Sequence, residues 1–149
     1  MKHILKVFIF LMLIVFFACG EQNNYPVFHQ SHEPKKQNAP FSDAVETQDL
    51  LFLSGQIGMD HSTRTLVEGG IQTETLQTIK NIEAVLLHHE LELKDVIKCT
   101  VILSDINDFA AFNEIYIQYF KQKPARTTFA ASGLAANAKI EIEVVAVKR

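Results

Sequence analysis

The sequence predicts an α+β domain of order ββαβαββ, with two helices packed on one face of a mixed sheet. Three observations predict it. Two stretches, residues 71–88 and 106–120, carry apolar side chains at helical spacing. Strand-type runs surround them, at 44–47, 50–54, 96–103, 127–131 and 140–147. Glycines, prolines and small polar clusters punctuate the joints. With 149 residues, 48% of them hydrophobic, the chain is long enough to bury one core.

The first residues stand apart from that domain. Lys2 and Lys6 open a segment whose residues 7–17 are wholly apolar. That run is short for a membrane span, which needs ~20 residues, and has the build of a secretory leader. It ends Val15-Phe16-Phe17-Ala18-Cys19-Gly20. A small residue before a cysteine resembles the lipobox of bacterial lipoproteins. Residues 1–18 are then a signal peptide and Cys19 the lipidated first residue of an exported protein. Its expected place is the cell envelope, on the periplasmic side. Phe16 stands where leucine is usual, and an uncleaved anchor helix is the alternative. Either form holds the chain at a membrane. Residues 19–38 are polar and without periodicity, so they read as a tether, and the domain is expected over 39–149. His29 and His32 fall in that tether with no cysteine or acid arranged around them, so no metal is expected there.

Residues 44–47 and 50–54 form a hairpin around Gln48-Asp49, and Gly55 and Gly58 mark a bulge or bend. Gly69-Gly70 leads into the first helix, whose stripe is Leu76, Ile79, Ile82 and Leu86. His88-His89 ends it. Adjacent helical residues point different ways, so a shared metal is not expected, and a basic end suits the helix dipole. In the strand 96–103, one face carries Ile97, Cys99, Val101 and Leu103. Cys99 reads as a small buried hydrophobe, and with Cys19 as the only other cysteine no disulfide framework is expected. Ser104 or Asp105 caps the second helix. Its apolar face is Ile106, Phe109, Ala110, Tyr116, Ile117 and Phe120, with Asn113 on the same stripe. Phe112, Ile115 and Tyr119 make a second apolar side, more than a monomer's surface helix needs. Val96, Ile102, Val145 and Val147 leave the uncovered sheet face partly apolar, which points to association.

Arginine is scarce: only Arg64, Arg126 and Arg149. Arg126 opens a strand run in Lys123-Pro124-Ala125-Arg126-Thr127-Thr128-Phe129, where a guanidinium can grip a carboxylate with two hydrogen bonds. Glu141 and Glu143 share one face of the last strand. If the two strands pair, an anion clamp and a carboxylate base flank one pocket. The plainer reading is a strand-edge arginine paired with a surface glutamate. The formal charge is −3, and without residues 1–18, which hold two lysines and no acid, it is −5. The remaining lysines are scattered, so no nucleic-acid footprint is expected.

These residues match a known pattern. Ala39-Pro40-Phe41-Ser42, Ser54-Gly55-Gln56-Ile57-Gly58, Asn81-Ile82, Val96-Ile97-Lys98-Cys99-Thr100-Val101, Asp108-Phe109, Asn113, Tyr116, Phe120, Pro124-Ala125-Arg126 and Ile140-Glu141-Ile142-Glu143-Val144 occur in order at near-uniform spacing. From about Asn38 to Lys148 the sequence resembles the RidA (YjgF-type) family of enamine/imine deaminases. The resemblance implies a chorismate-mutase-like ββαβαββ fold and homotrimers with clefts between subunits. It implies hydrolysis of 2-aminoacrylate-type enamines, as 2-imino acids, to 2-oxo acids and ammonia, without metal or organic cofactor. The family's substrate-carboxylate arginine falls on Arg126 and its water-positioning glutamate on Glu141. Its cleft serine falls on Ser54 and its cleft asparagine on Asn113. The family's Gly-Pro-Tyr is here Ala39-Pro40-Phe41, so Phe41 offers a ring wall and no hydroxyl. Thr128 replaces the cysteine some members carry. A tethered trimer that binds small carboxylates without chemistry is the alternative. A ribonuclease role, also attached to relatives, is disfavoured by the acidic balance.

Overall fold

The computed structural model describes residues 26–148. The leader over 1–18, Cys19 and the first part of the tether lie outside the described residues. The elements run β1 (Val27–His29), β2 (Ala44–Thr47), β3 (Leu50–Ile57), a small ribbon of β4 (Met59–Asp60) and β5 (Thr65–Leu66), and α1 (Ile71–His88). They continue with β6 (Val96–Leu103), α2 (Phe109–Tyr119), β7 (Ala125–Ala130) and β8 (Ile140–Val147). The predicted ββαβαββ order is therefore present, with β1 and the ribbon added to it.

Six strands form one mixed sheet in the order β1-β2-β3-β8-β6-β7. Only β6 and β7 run parallel, and α2 is the crossover that a parallel pair requires. β8 runs antiparallel to both β3 and β6 and lies between them. The strands carrying Arg126 and Glu141 therefore do not pair: β6 separates them. The crossover delivers β7 to the outer edge of β6, and the last strand fills the gap on its inner side.

Alternation decides which face is core. Ala44, Leu51, Leu53, Cys99, Val101, Leu103, Ile140, Ile142, Val144 and Ala146 are buried under the helices. Ile79, Ile82, Val85 and Leu86 cover them from α1, and Phe112, Tyr116 and Phe120 from α2 and its end. Full burial of side chains this size is worth about 1.5–3 kcal/mol each. Cys99 has the expected place, and burial pushes its thiol up to about 11, so it holds its proton at neutral pH.

The structure departs from the sequence expectations at four places. The fold begins before Ala39: Val27, Phe28 and His29 pair with Glu46, Val45 and Ala44, and Ser31 is buried. A short 3-10 turn over Pro34–Lys36 brings Lys36 onto the buried Asp43 carboxylate. Three residues of strand carry no periodicity, so only the partner edge of β2 reveals them. In β6, a bulge between Val96 and Lys98 breaks the alternation. Val96 is buried there and Ile97 turns outward, opposite to the expected face. The second helix starts at Phe109, after a 3-10 turn over Ile106–Asp108 in which Asp105 accepts from the Asn107 N–H. Phe112, assigned to its second side, is core, while Ile106, Phe109 and Ile117 of the expected face are exposed. Finally, the stripe of α1 uses Thr75, Thr78 and Val85, with Leu76 only half-buried.

Among the described residues no helix covers the other sheet face. Phe28, Val45, Phe52 and Val145 stand in one cross-strand row, with Phe28 67% and Phe52 42% exposed. Phe129, on the edge beside Ile102, is 45% exposed.

Candidate active site

Arg126 sits opposite Cys99 on β7, so its side chain turns to the helix face of the sheet, at the edge. There it meets α2. Phe109, Phe112 and Tyr116 are three and four residues apart, which puts their rings on one side of the helix. The guanidinium carbon lies 4.5 Å from the Tyr116 ring centre, 5.3 Å from Phe112 and 5.6 Å from Phe109. Cation–π attraction of this kind contributes about 0.5–2 kcal/mol per favourable ring. Nη1 donates to Asn113 Oδ1 at 2.9 Å, which gives the half-buried amide a partner. Among the described residues no carboxylate lies within ion-pair reach of Arg126, so the plain surface ion pair is not formed. Arg126 also opens onto a cavity of about 520 Å³. Asn113, Tyr116, Phe120, Lys123 and Pro124 line it.

Glu141 lies elsewhere. It alternates with the fully buried Ile140 and Ile142, so its carboxylate is on the face away from the helices. Register places it between Ile57 and Ile102. The bulge in β3 between Leu53 and Gln56 brings Gly55 beneath it. A Cβ on residue 55 would stand 2.0 Å from Glu141 Oε1, so the carboxylate holds its present position only over a glycine. Burial first, and the neighbouring Glu143 second, raise the Glu141 carboxyl above its ordinary value. The carboxylate lines a cavity of about 260 Å³ with Phe41, Lys36, His61, Arg64 and Ala136.

The five candidate side chains thus fall into groups. Arg126 and Asn113 are joined by a hydrogen bond. Glu141 and Phe41 share a second cavity, with Lys36 Nζ 5.7 Å from the centre of the Phe41 ring. Ser54 lines neither cavity: its Oγ donates to the Ser42 carbonyl at 2.6 Å and fixes the loop behind Phe41. Arg126 and Glu141 are on opposite faces of the sheet, so one chain does not bring them together. Sequence reasoning missed the ring cradle of Arg126, although the 109, 112, 116 spacing carried it. It also missed Lys36, His61 and Arg64 around Glu141, which come from turns with no periodic signal.

The sequence and the fold both have known relatives. Residues 30–148 match the profile of the family described as endoribonuclease L-PSP. A human protein named 2-iminobutanoate/2-iminopropanoate deaminase is 44% identical over 110 residues, covering 73% of this chain and 80% of its own. An Aquifex aeolicus RutC family protein is 45% identical over 112 residues, covering 73% of this chain and 89% of its own. Among solved structures, a Thermotoga maritima protein superposes with TM-score 0.77 at 38% identity, over 83% of this chain and 98% of that one. RidA from an Antarctic Psychrobacter superposes with TM-score 0.75 at 30% identity, over 81% and 98%. The sheet order, the two helices and these matches together make the chain a member of the endoribonuclease L-PSP family, the RidA (YjgF-type) proteins.

Proposed function

We propose that this protein hydrolyses 2-iminobutanoate- and 2-iminopropanoate-type imino acids to 2-oxo acids and ammonia, in a chamber that a second copy of the chain completes. One observation carries the reading. An arginine without a carboxylate partner and a glutamate with a raised pKa face separate cavities on opposite sides of one sheet, and an apolar face lies bare. Docking copies of the chain through that face would cover Phe52 and its row and bring Glu141 of one copy towards Arg126 of another. A closed homotrimer of this kind satisfies all three faces at once. The names of the mammalian relatives supply the substrate class.

In the proposed mechanism Arg126, steadied by Asn113, holds the substrate carboxylate and orients the C=N carbon. Glu141 accepts a proton from a water molecule as its oxygen bonds to that carbon. The proton then passes to the nitrogen of the resulting carbinolamine. The C–N bond breaks, ammonia leaves, and the carbinolamine hydroxyl gives its proton to Glu141 as the carbonyl forms. The iminium carbon is electrophilic already, so the reaction needs no strong protein nucleophile and no cofactor. Phe41 contributes a wall to the chamber and no hydrogen bond. That missing hydroxyl supports a second reading, a trimer that only binds small carboxylates. The leader and Cys19 extend the proposal: the domain works tethered by lipid on the periplasmic side of the envelope, tested by membrane fractionation of Cys19→Ala.

The deciding experiment is release of ammonia and 2-oxo acid from freshly generated imino acids. Arg126→Ala and Glu141→Gln are each expected to lose most of the activity and to regain part of it when refolded together as mixed oligomers. Absence of complementation between two correctly assembled variants overturns the shared chamber. Absence of ammonia release, with 2-oxo acid binding by calorimetry, favours the binder.

A further inference from the structure

Away from both cavities, three side chains distant in sequence meet at one corner of the fold. His29 comes from β1, Glu46 from β2, and His89 from the residue that ends α1. His29 Nε2 is 3.3 Å from Glu46 Oε2. The His29 and His89 rings meet edge to face with centres 4.6 Å apart. One ligating atom from each of the three lies within 4.8 Å of the others, and all three residues are half-buried. None of them lines the cavity of Arg126 or that of Glu141.

We propose that this corner is a divalent-cation site, zinc by preference, built from two imidazoles and one carboxylate with the remaining position left to water. The geometry is close to what such a site needs. Ligands bonded at ~2.0–2.2 Å to a tetrahedral ion stand roughly 3.3–3.6 Å from one another. The His29–Glu46 pair already has that spacing, and the His89 ligating atom lies within 4.8 Å of both. Two imidazoles select a borderline transition metal over calcium or magnesium, which take oxygen ligands. Glu46 is equipped to share: Lys148 Nζ occupies Oε1 at 2.7 Å and leaves Oε2 facing His29. His32 and His88 stack at 5.1 Å beside the site, and His88 meets His89 at 5.3 Å, so further imidazoles surround the ligands without belonging to them. Sequence spacing hid the site. The acid nearest His29 in sequence, Glu33, turns to His32 and His61, and only the β1–β2 pairing delivers Glu46. The ion would fasten β1, the first described strand, to the end of α1.

The test uses the full chain, stripped with a chelator and titrated with zinc chloride by calorimetry and thermal melting. One zinc per chain is expected, with a melting temperature that rises on loading. His29→Ala and His89→Ala should weaken binding by at least ~10-fold, the loss common when even a partner of a metal ligand is removed. His32→Ala should bind as the parent does, and Lys148→Met should bind more tightly. No zinc uptake, or uptake unchanged in both His29→Ala and His89→Ala, overturns the site. If those variants do not fold, the histidine ring resonances of the unmutated chain decide. Shifts at His29 and His89 on zinc addition support the site, and shifts confined to other histidines overturn it.

Discussion

The two candidate cavities are built in opposite ways. The arginine side is finished within one chain. Three rings from a single helix, an amide from the same helix and an edge strand hold the guanidinium. The glutamate side is assembled from a bulge, a turn and a loop, and it opens beside a bare apolar sheet face. The cradle of Arg126 is complete within one chain. In the proposed oligomer it is the chamber of Glu141 that a second copy would finish.

Breaking the glutamate side is expected to cost most. Glu141→Gln removes the proton acceptor, and general-base groups contribute ~10²–10⁴-fold. The fall belongs in kcat, with 2-oxo acid affinity by calorimetry largely kept. A kcat within a factor of two of the parent, in an intact oligomer, sinks the general-base role.

Gly55→Ala sharpens the same side without touching an ionisable group. The new Cβ collides with the free end of a side chain, so the carboxylate moves and the backbone stays. A displacement near 1 Å costs up to roughly 10²-fold. Ammonia release should fall while the melting temperature barely changes. Full activity shows that the carboxylate position is not critical.

Arg126→Ala removes charge-assisted hydrogen bonds to the substrate, worth about 1.5–3 kcal/mol, or ~10–100-fold in kcat/KM. Its signature is a higher KM, with 2-oxo acid binding by calorimetry weakened in parallel. An unchanged KM in an intact oligomer removes the carboxylate clamp.

Glu143→Gln is the mildest probe. The Glu141 carboxyl must be ionised to act, and burial and Glu143 raise its pKa, so the acid limb of the kcat/KM profile is displaced upward from that of an ordinary glutamate. Removing Glu143 deletes the second cause of that raise, and the limb moves to lower pH while the burial contribution persists. Stability follows with a definite sign. The folded chain holds the Glu141 proton more tightly than the unfolded chain does. The group therefore costs stability as pH rises from the unfolded value through the folded one. Denaturation curves for Glu141→Gln should lose that dependence.

Much of this was legible in the residues. Helix α1 has its expected limits, Ile71–His88, because its apolar period runs unbroken between a Gly-Gly start and a His-His end. β8 has its expected limits for a similar reason, strict alternation over its first five residues. Arg126 stood out by scarcity and by the proline two residues before it. What failed was local information too short or too interrupted to read. β1 has three residues, and the bulge in β6 turns Ile97 over. In α2, two apolar sides competed, and sequence periodicity cannot say which one the sheet will cover.

Local sequence specifies the two helices, the five longer strands and the candidates Arg126 and Glu141, because periodicity and turn chemistry act over a few neighbours. Tertiary structure alone decided that β8 enters between β3 and β6, and so parts Arg126 from Glu141. It alone gathered His29, Glu46 and His89. The physical reason is that strand pairing is a long-range choice, settled by which edges remain unsatisfied after the crossover has closed, and no window of sequence contains both partners.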